Sequence, residues 1–151
     1  MFGNNSAENT TASGKKIDKE TAENEFVCFC ENNRIKHDES LMNDEDIDTF
    51  KGIKNRFIEN CMDGRVEVDG TSIKYTVSSL SSEGFRGDAV KISRPSGHAF
   101  LAMDGFKDRD SVKRLNAFMS ALTGKDIGYF AKIDVLDWQF FSAISQLFLS
   151  L

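Results

Sequence analysis

Few residues in this chain are placed to do chemistry. The metal-ligand and nucleophile candidates begin with three cysteines and two histidines. Cys28 and Cys30 stand one residue apart, too tight for the usual structural zinc knuckle, and Cys61, His37 and His98 complete no paired spacing. We therefore expect three thiols, no metal and no cofactor. Nucleophilic catalysis needs a nucleophile with a base held beside it. His98 stands in Ser96-Gly97-His98 at an expected strand–helix junction, where a structural role outweighs a base. Ser82-Glu83-Gly84-Phe85 lacks the Gly-x-Ser-x-Gly pattern of a nucleophile elbow. Gly84 and Gly87 precede an expected strand rather than a helix, and no Gly-Lys-Ser or Gly-Lys-Thr occurs, so no phosphate loop is expected. Asp and Glu are so frequent that no acid/base pair stands out. No residue is assigned a catalytic role, and the expectation is a protein that is not an enzyme.

Arg86, Lys91 and Arg94 form a modest basic group beside an expected strand. A solvated sheet face is the leading explanation, and a nucleic-acid module is the alternative. Charge opposes the alternative. The 151 residues carry a net charge of −5. Residues 1–50 hold 5 basic and 12 acidic residues, so the acidity belongs to the front of the chain. An acid excess disfavours binding to a phosphate backbone. Hydrophobic residues make up 40%, enough for one domain's core. No apolar run approaches the roughly 18 residues of a membrane helix. The start, MFGNNSAENTTASGKK, shows no basic region followed by an apolar one, which points to a reducing, cytoplasmic setting.

The elements that would position any site follow from periodicity. Residues 1–23 are polar and read as a disordered tail, with helix beginning near Lys19; residues 24–151 read as a single domain. Residues 24–36 fit either a helix face (Phe26, Phe29, Cys30) or a strand face (Phe26, Cys28, Cys30), and the Glu and Ala before them tilt the choice to helix. Residues 44–62 are a clear helix, with Ile47, Phe50, Phe57, Ile58 and Cys61 on one stripe and Ile53 at its margin. Asn43 is its expected N-cap and Gly64 its stop.

Residues 65–77 read as a hairpin, with Val66 and Val68, a turn at Asp69-Gly70, then Ile73, Tyr75 and Val77. Residues 78–88 are a Ser- and Gly-rich loop, and 89–94 a third strand with Val90 and Ile92 on one face. Pro95 suits the first turn of a short helix over 96–104 that carries Phe100, Leu101 and Met103. A helix over 111–123 turns Val112, Leu115, Phe118, Met119 and Leu122 inward, capped by Asp110 and ended by Gly124. The expected fold is α+β: a small antiparallel sheet with several helices packed on it.

The last helix, 134–150 with Asp134 as cap, is unusually apolar. Trp138, Phe141, Ser145 and Phe148 follow one stripe; Leu136, Phe140, Ile144, Leu147 and Leu151 follow its neighbour. Together they cover more of the helix than a surface helix hides. Such a helix is either central to the core or partly reserved for a partner.

The order of parts resembles a known family. A capped helix ends in Gly64-Arg65-Val66 and an Asp-Gly hairpin follows. Next come Ala89-Val90-Lys91-Ile92-Ser93-Arg94-Pro95-Ser96-Gly97, then Phe100-Leu101-Ala102-Met103-Asp104. Leu122-Thr123-Gly124 and Ile133-Asp134-Val135-Leu136-Asp137-Trp138 lead into the final helix. Over roughly 44–151 this resembles the tail assembly chaperones of tailed bacteriophages and prophages, small acidic α+β proteins that hold the tape-measure protein during tail assembly. The resemblance implies no active site and a tape-measure or other tail protein as partner, in the host cytoplasm, with no nucleic acid and no membrane. Residues 1–43 have no counterpart in it, and oligomeric state stays open. The expected partner anchors are Trp138, Phe141, Leu147, Phe148 and Leu151. The alternative is a structural tail or baseplate component retained in the mature particle.

Overall fold

The computed structural model describes residues 15–151, and the first part of the expected polar tail lies outside them. In its second part the helix expected to begin near Lys19 is observed. Asp18 accepts a hydrogen bond from the Thr21 amide at 2.8 Å and caps helix α1, Lys19–Asn33. The helical alternative for residues 24–36 is the one observed, since Phe26, Phe29 and Cys30 are buried together and Cys28 is exposed. Ala22 is buried with them.

Helix α2, Asp44–Met62, follows a short helical turn at Glu39–Leu41. Asn43 caps it by accepting from the Asp46 amide at 2.8 Å. Its end closes through two reversed bonds: Gly64 N–H donates to the Cys61 carbonyl and Arg65 N–H to the Asn60 carbonyl. That closure places Gly64 at a φ of 78°, which glycine adopts without strain. The buried face is Phe50, Ile53, Phe57, Ile58 and Cys61, with Ile47 only half-buried.

The sheet is antiparallel in the order β1 (Val66–Asp69), β2 (Ser72–Thr76), β3 (Ala89–Ile92). Asp69 pairs with Ser72, so the two turn residues are Gly70 and Thr71, one place later than the Asp-Gly dipeptide suggests. Gly70 takes φ 63° at the first turn position, where a two-residue hairpin demands it. Val66, Ile73, Tyr75, Val90 and Ile92 face the core. On the other face Glu67 and Lys74, directly opposite each other, pair at 3.2 Å in solvent.

Three helices lie between the sheet and the last helix. Helix α3 spans only Gly97–Leu101. Pro95 lies just ahead of it, before Ser96, rather than in its first turn. Its inward residue is Ala99, whereas Phe100 and Leu101 are exposed. A five-residue helix has too little length to turn a whole stripe onto the core. Helix α4, Ser111–Thr123, buries Phe118, Met119 and Leu122 as expected and is ended by Gly124 at φ 76°. Asp110 makes no cap bond to it, and Val112 in its first turn is exposed. Helix α5, Ile127–Lys132, was not anticipated from periodicity, because six residues are under two helical turns.

Helix α6, Val135–Leu149, runs through the centre. Its Asp134 cap accepts from the Leu136 amide at 2.9 Å. Phe148 meets Phe29 of α1 at 5.7 Å, Phe141 meets Phe130 of α5 at 5.2 Å, and Phe140 stacks on Tyr75 of β2 at 4.3 Å. Contacts with α1, α2, β2, α4 and α5 explain why both of its apolar stripes are needed. Of the two explanations for its composition, the core accounts for most of it.

A groove along the second and last helices is the candidate functional site

Three of the five expected anchors are sealed in the core. Phe141 and Leu147 are 2% exposed and Phe148 is fully buried, so none can touch a partner while the chain is folded. Helix α6 is covered on both stripes by elements that come from distant parts of the chain, and this corrects the anchor assignment. Trp138 is half-buried and its indole N–H donates to Asn116 Oδ1 at 2.8 Å. Leu151 remains exposed.

The other sequence candidates scatter. His98 is exposed on α3, and His37 lies 3.6 Å from Glu31 near the end of α1. Arg86 donates to the Ser81 carbonyl and Arg94 to the Asn33 carbonyl. The Asn33 side chain also holds the hairpin turn by donating to the Thr71 carbonyl at 3.1 Å, so Arg94 belongs to the joint between α1 and the sheet. Only Lys91 of the basic group points freely outward from β3. Cys30 and Cys61 are buried, and burial pushes each thiol up to about 12 from 9.0. Among the described residues no three of His, Cys, Asp and Glu gather where they would hold one metal ion. Among them too, no helix is long and apolar enough to cross a membrane.

The strongest polar convergence is around Asp137, in the first turn of α6. Its Oδ1 accepts from the Tyr75 hydroxyl at 2.6 Å and the Ser78 amide at 2.9 Å. Its Oδ2 accepts from the Ser78 hydroxyl at 2.8 Å and the Ser81 hydroxyl at 2.7 Å. Ser81 Oγ in turn accepts from the Asp134 amide at 2.7 Å. The group ties the loop after β2 to the start of α6. Both serine protons already go to the carboxylate, and neither serine has an imidazole beside it, so the arrangement is a clamp rather than an activated nucleophile. Burial, and next the bond to Asp137, raise the ionisation of Tyr75 far above its ordinary 10.0.

The clamp forms the floor of a cleft of about 460 Å³. Its walls are Arg56, Glu59 and Asn60 of α2, Asp63 and Arg65 just after it, and Ser79, Leu80 and Leu136. A second hollow of about 290 Å³ adjoins it and shares Arg56. There the walls are Asp48, Thr49 and Gly52 of α2 with Gln139, Ser142, Ala143 and Gln146 of α6. Positions 48, 52, 56, 59 and 63 recur at helical spacing, as do 136, 139, 143 and 146. The two hollows therefore lie in line along the outer seam of two antiparallel helices, with the Arg56 side chain between them. Fifteen rises of the α2 helix give the seam a length of roughly 22 Å. Arg56 Nη1 donates across the seam to Gln139 Oε1 at 3.2 Å.

Polar and charged side chains, among them Asp48, Arg56, Glu59, Asp63, Arg65 and Gln139, make up most of the lining, with small and apolar ones at the two ends. Gly52 and Ala143 leave room at one end, and an added Cβ on Gly52 would meet nothing within 4 Å. Leu80 and Leu136 form an apolar lip at the other, 62% and 50% exposed. Leu80, Arg56, Arg65 and Gly52 were not among the sequence candidates. Gly52 carried the only signal, as a glycine inside a strongly patterned helix where alanine would be better by about 1 kcal/mol. The chain matches no protein-family model, no curated protein and no solved structure.

Proposed function

We propose that this chain is a non-enzymatic phage tail assembly chaperone that holds the tape-measure protein before assembly. The observation that carries the proposal is the α2–α6 groove, a solvent-facing seam about one partner helix in length, with a glycine at one end and an apolar lip at the other. Helix-in-groove docking uses such a surface: apolar anchors at helical spacing supply affinity and the groove walls supply register. The resemblance of residues 44–151 to the chaperone family supplies the class of partner, a long helical protein prone to aggregate until it is assembled. The acidic exterior would keep such a pair in solution.

The binding surface proposed here is the groove with Leu80 and Leu136, in place of the buried part of the terminal helix. Co-expression with a candidate tape-measure protein, a very long helical protein of the kind expected to be encoded immediately downstream, tests the idea. Affinity capture of this chain should recover that protein, and purified particles examined by mass spectrometry should lack this chain. Failure to capture it, or no gain in its solubility, would refute the chaperone role. Stoichiometric presence in the particle would favour a structural tail component instead.

A further inference from the structure

We infer that residues 78–87 form a strap that swings as a unit about its neck, with Asp137 as the latch that holds it shut over the cleft. The two ends of the segment lie side by side. Val77 N–H donates to the Asp88 carbonyl at 2.9 Å, and Gly87 N–H donates to the Val77 carbonyl at 2.8 Å. A compact surface loop with paired ends can leave the body without parting the strands beside it. Gly87 takes φ 81° at the neck, where glycine turns without strain.

The strap is tied to itself along its length. Ser81 N–H donates to the Ser78 carbonyl, and the Phe85 and Arg86 amides both donate to the Ser82 carbonyl. The Leu80 amide donates to Ser78 Oγ, and the Arg86 side chain to the Ser81 carbonyl. These bonds stay within the segment and keep its shape when it moves. Its bonds to the rest of the molecule converge on one residue. Ser78 N–H, Ser78 Oγ and Ser81 Oγ all donate to the Asp137 carboxylate. Among the described residues, the only other hydrogen bond beyond the neck is the Asp134 amide donating to Ser81 Oγ.

Apolar burial adds little to this hold. Leu80 is mostly exposed, as are Ser79, Ser82, Glu83 and Arg86. Phe85 is half-buried and meets the Tyr129 ring of α5 edge-on at 5.2 Å. The fully buried side chains of the strap are Ser78 and Ser81, and both face Asp137. A segment with few buried apolar contacts belongs to the least stable part of a fold, and its opening is set by its hydrogen bonds. Bonds to a carboxylate are the strong kind, so one side chain on α6 decides whether the strap stays down. Ser79 and Leu80 are the strap's share of the cleft wall, and Tyr75 and Asp137 lie behind them. Opening removes that wall and uncovers the floor. The strap does not depend on what occupies the α2–α6 seam.

Native-state hydrogen exchange, read by NMR on the full isotope-labelled chain, tests the latch at the Ser78 amide, which donates to Asp137 Oδ1. In the parent chain this amide should exchange through an opening that low urea leaves unchanged, whereas the β2 amides exchange through one that urea promotes. Ser78→Ala with Ser81→Ala removes two of the strap's three bonds to Asp137 and leaves the Tyr75 bond in place. Protection at position 78 should then fall by at least about a hundredfold, about tenfold for each bond lost. Protection in β2 should change by less than about tenfold. Circular dichroism checks the fold of the variant. A fall shared equally by β2 would make the Asp137 group part of the cooperative core and overturn the strap, and so would unchanged exchange at position 78. If the double variant does not fold, the parent chain decides: the same urea dependence at Ser78 and in β2 overturns the strap, and different dependences support it.

Discussion

Asp137 shows how one side chain can bind two distant stretches of chain. Its four donors come from β2 and the loop after it, some sixty positions earlier. Asp137→Ala would leave the Tyr75 and Ser81 hydroxyls buried without that acceptor. We expect it to destabilise the fold by about 3 kcal/mol, since each buried unpaired polar group costs roughly 1–3 kcal/mol. Urea unfolding measures this directly. The chain has only two tyrosines, and both are shifted. Burial and the bond to Asp137 raise Tyr75, while burial and a 2.8 Å bond to Asp88 raise Tyr129. The folded state therefore holds both protons at a pH where the unfolded chain has lost them. The associated stability is intact below the ordinary tyrosine value of 10.0 and falls as pH rises above it. Absorbance at the tyrosinate band should stay flat through pH 10 and then rise together with the loss of helical circular dichroism. A separate, earlier tyrosinate step would contradict the burial of these hydroxyls.

Among the elements, those with strong local signals formed where their residues predicted. Helix α2 has its cap at Asn43, its stripe and its stop at Gly64. The three strands alternate as Val66, Ile73, Tyr75, Val90 and Ile92 require. Where elements are short, local signals failed: α5 went unseen and α3 spans only Gly97–Leu101 of the expected 96–104. A helix of five or six residues has too few positions to show a period, so its orientation comes from its neighbours. Helix α1 ends at a residue that glycine usually occupies. Arg34 closes it at φ 58°, a left-handed conformation that costs a non-glycine residue free energy. Its side chain is exposed, so Arg34→Gly should stabilise the chain by about 0.5–1 kcal/mol, read as a rise in thermal midpoint. A loss of stability would mean that the Arg34 side chain makes an interaction outweighing the strain.

At the scale of the whole molecule, the terminal helix separates two kinds of residue that its periodicity could not. Phe148 is fully buried against Phe29, and Leu151 is half exposed beyond the helix end. Phe148→Ala should cost about 3–5 kcal/mol through the cavity it leaves, whereas Leu151→Ser should change stability by less than about 0.5 kcal/mol. Comparable losses from both in chemical denaturation would contradict the assignment of α6 to the core. The groove was legible only in fragments, as a glycine inside α2 and a polar face at helical spacing. Its partners on α6 and at Leu80 lie far away in the chain, and only the antiparallel packing of α2 against α6 brings them together. Residue order determines helices, strands, caps and turns here because those depend on neighbours within about four positions. Which apolar surface is buried, and which stays exposed, depends on how many elements crowd around α6. That is a property of long-range packing, so tertiary structure alone moved the candidate surface from the aromatic stripe to the seam beside Arg56 and Arg65.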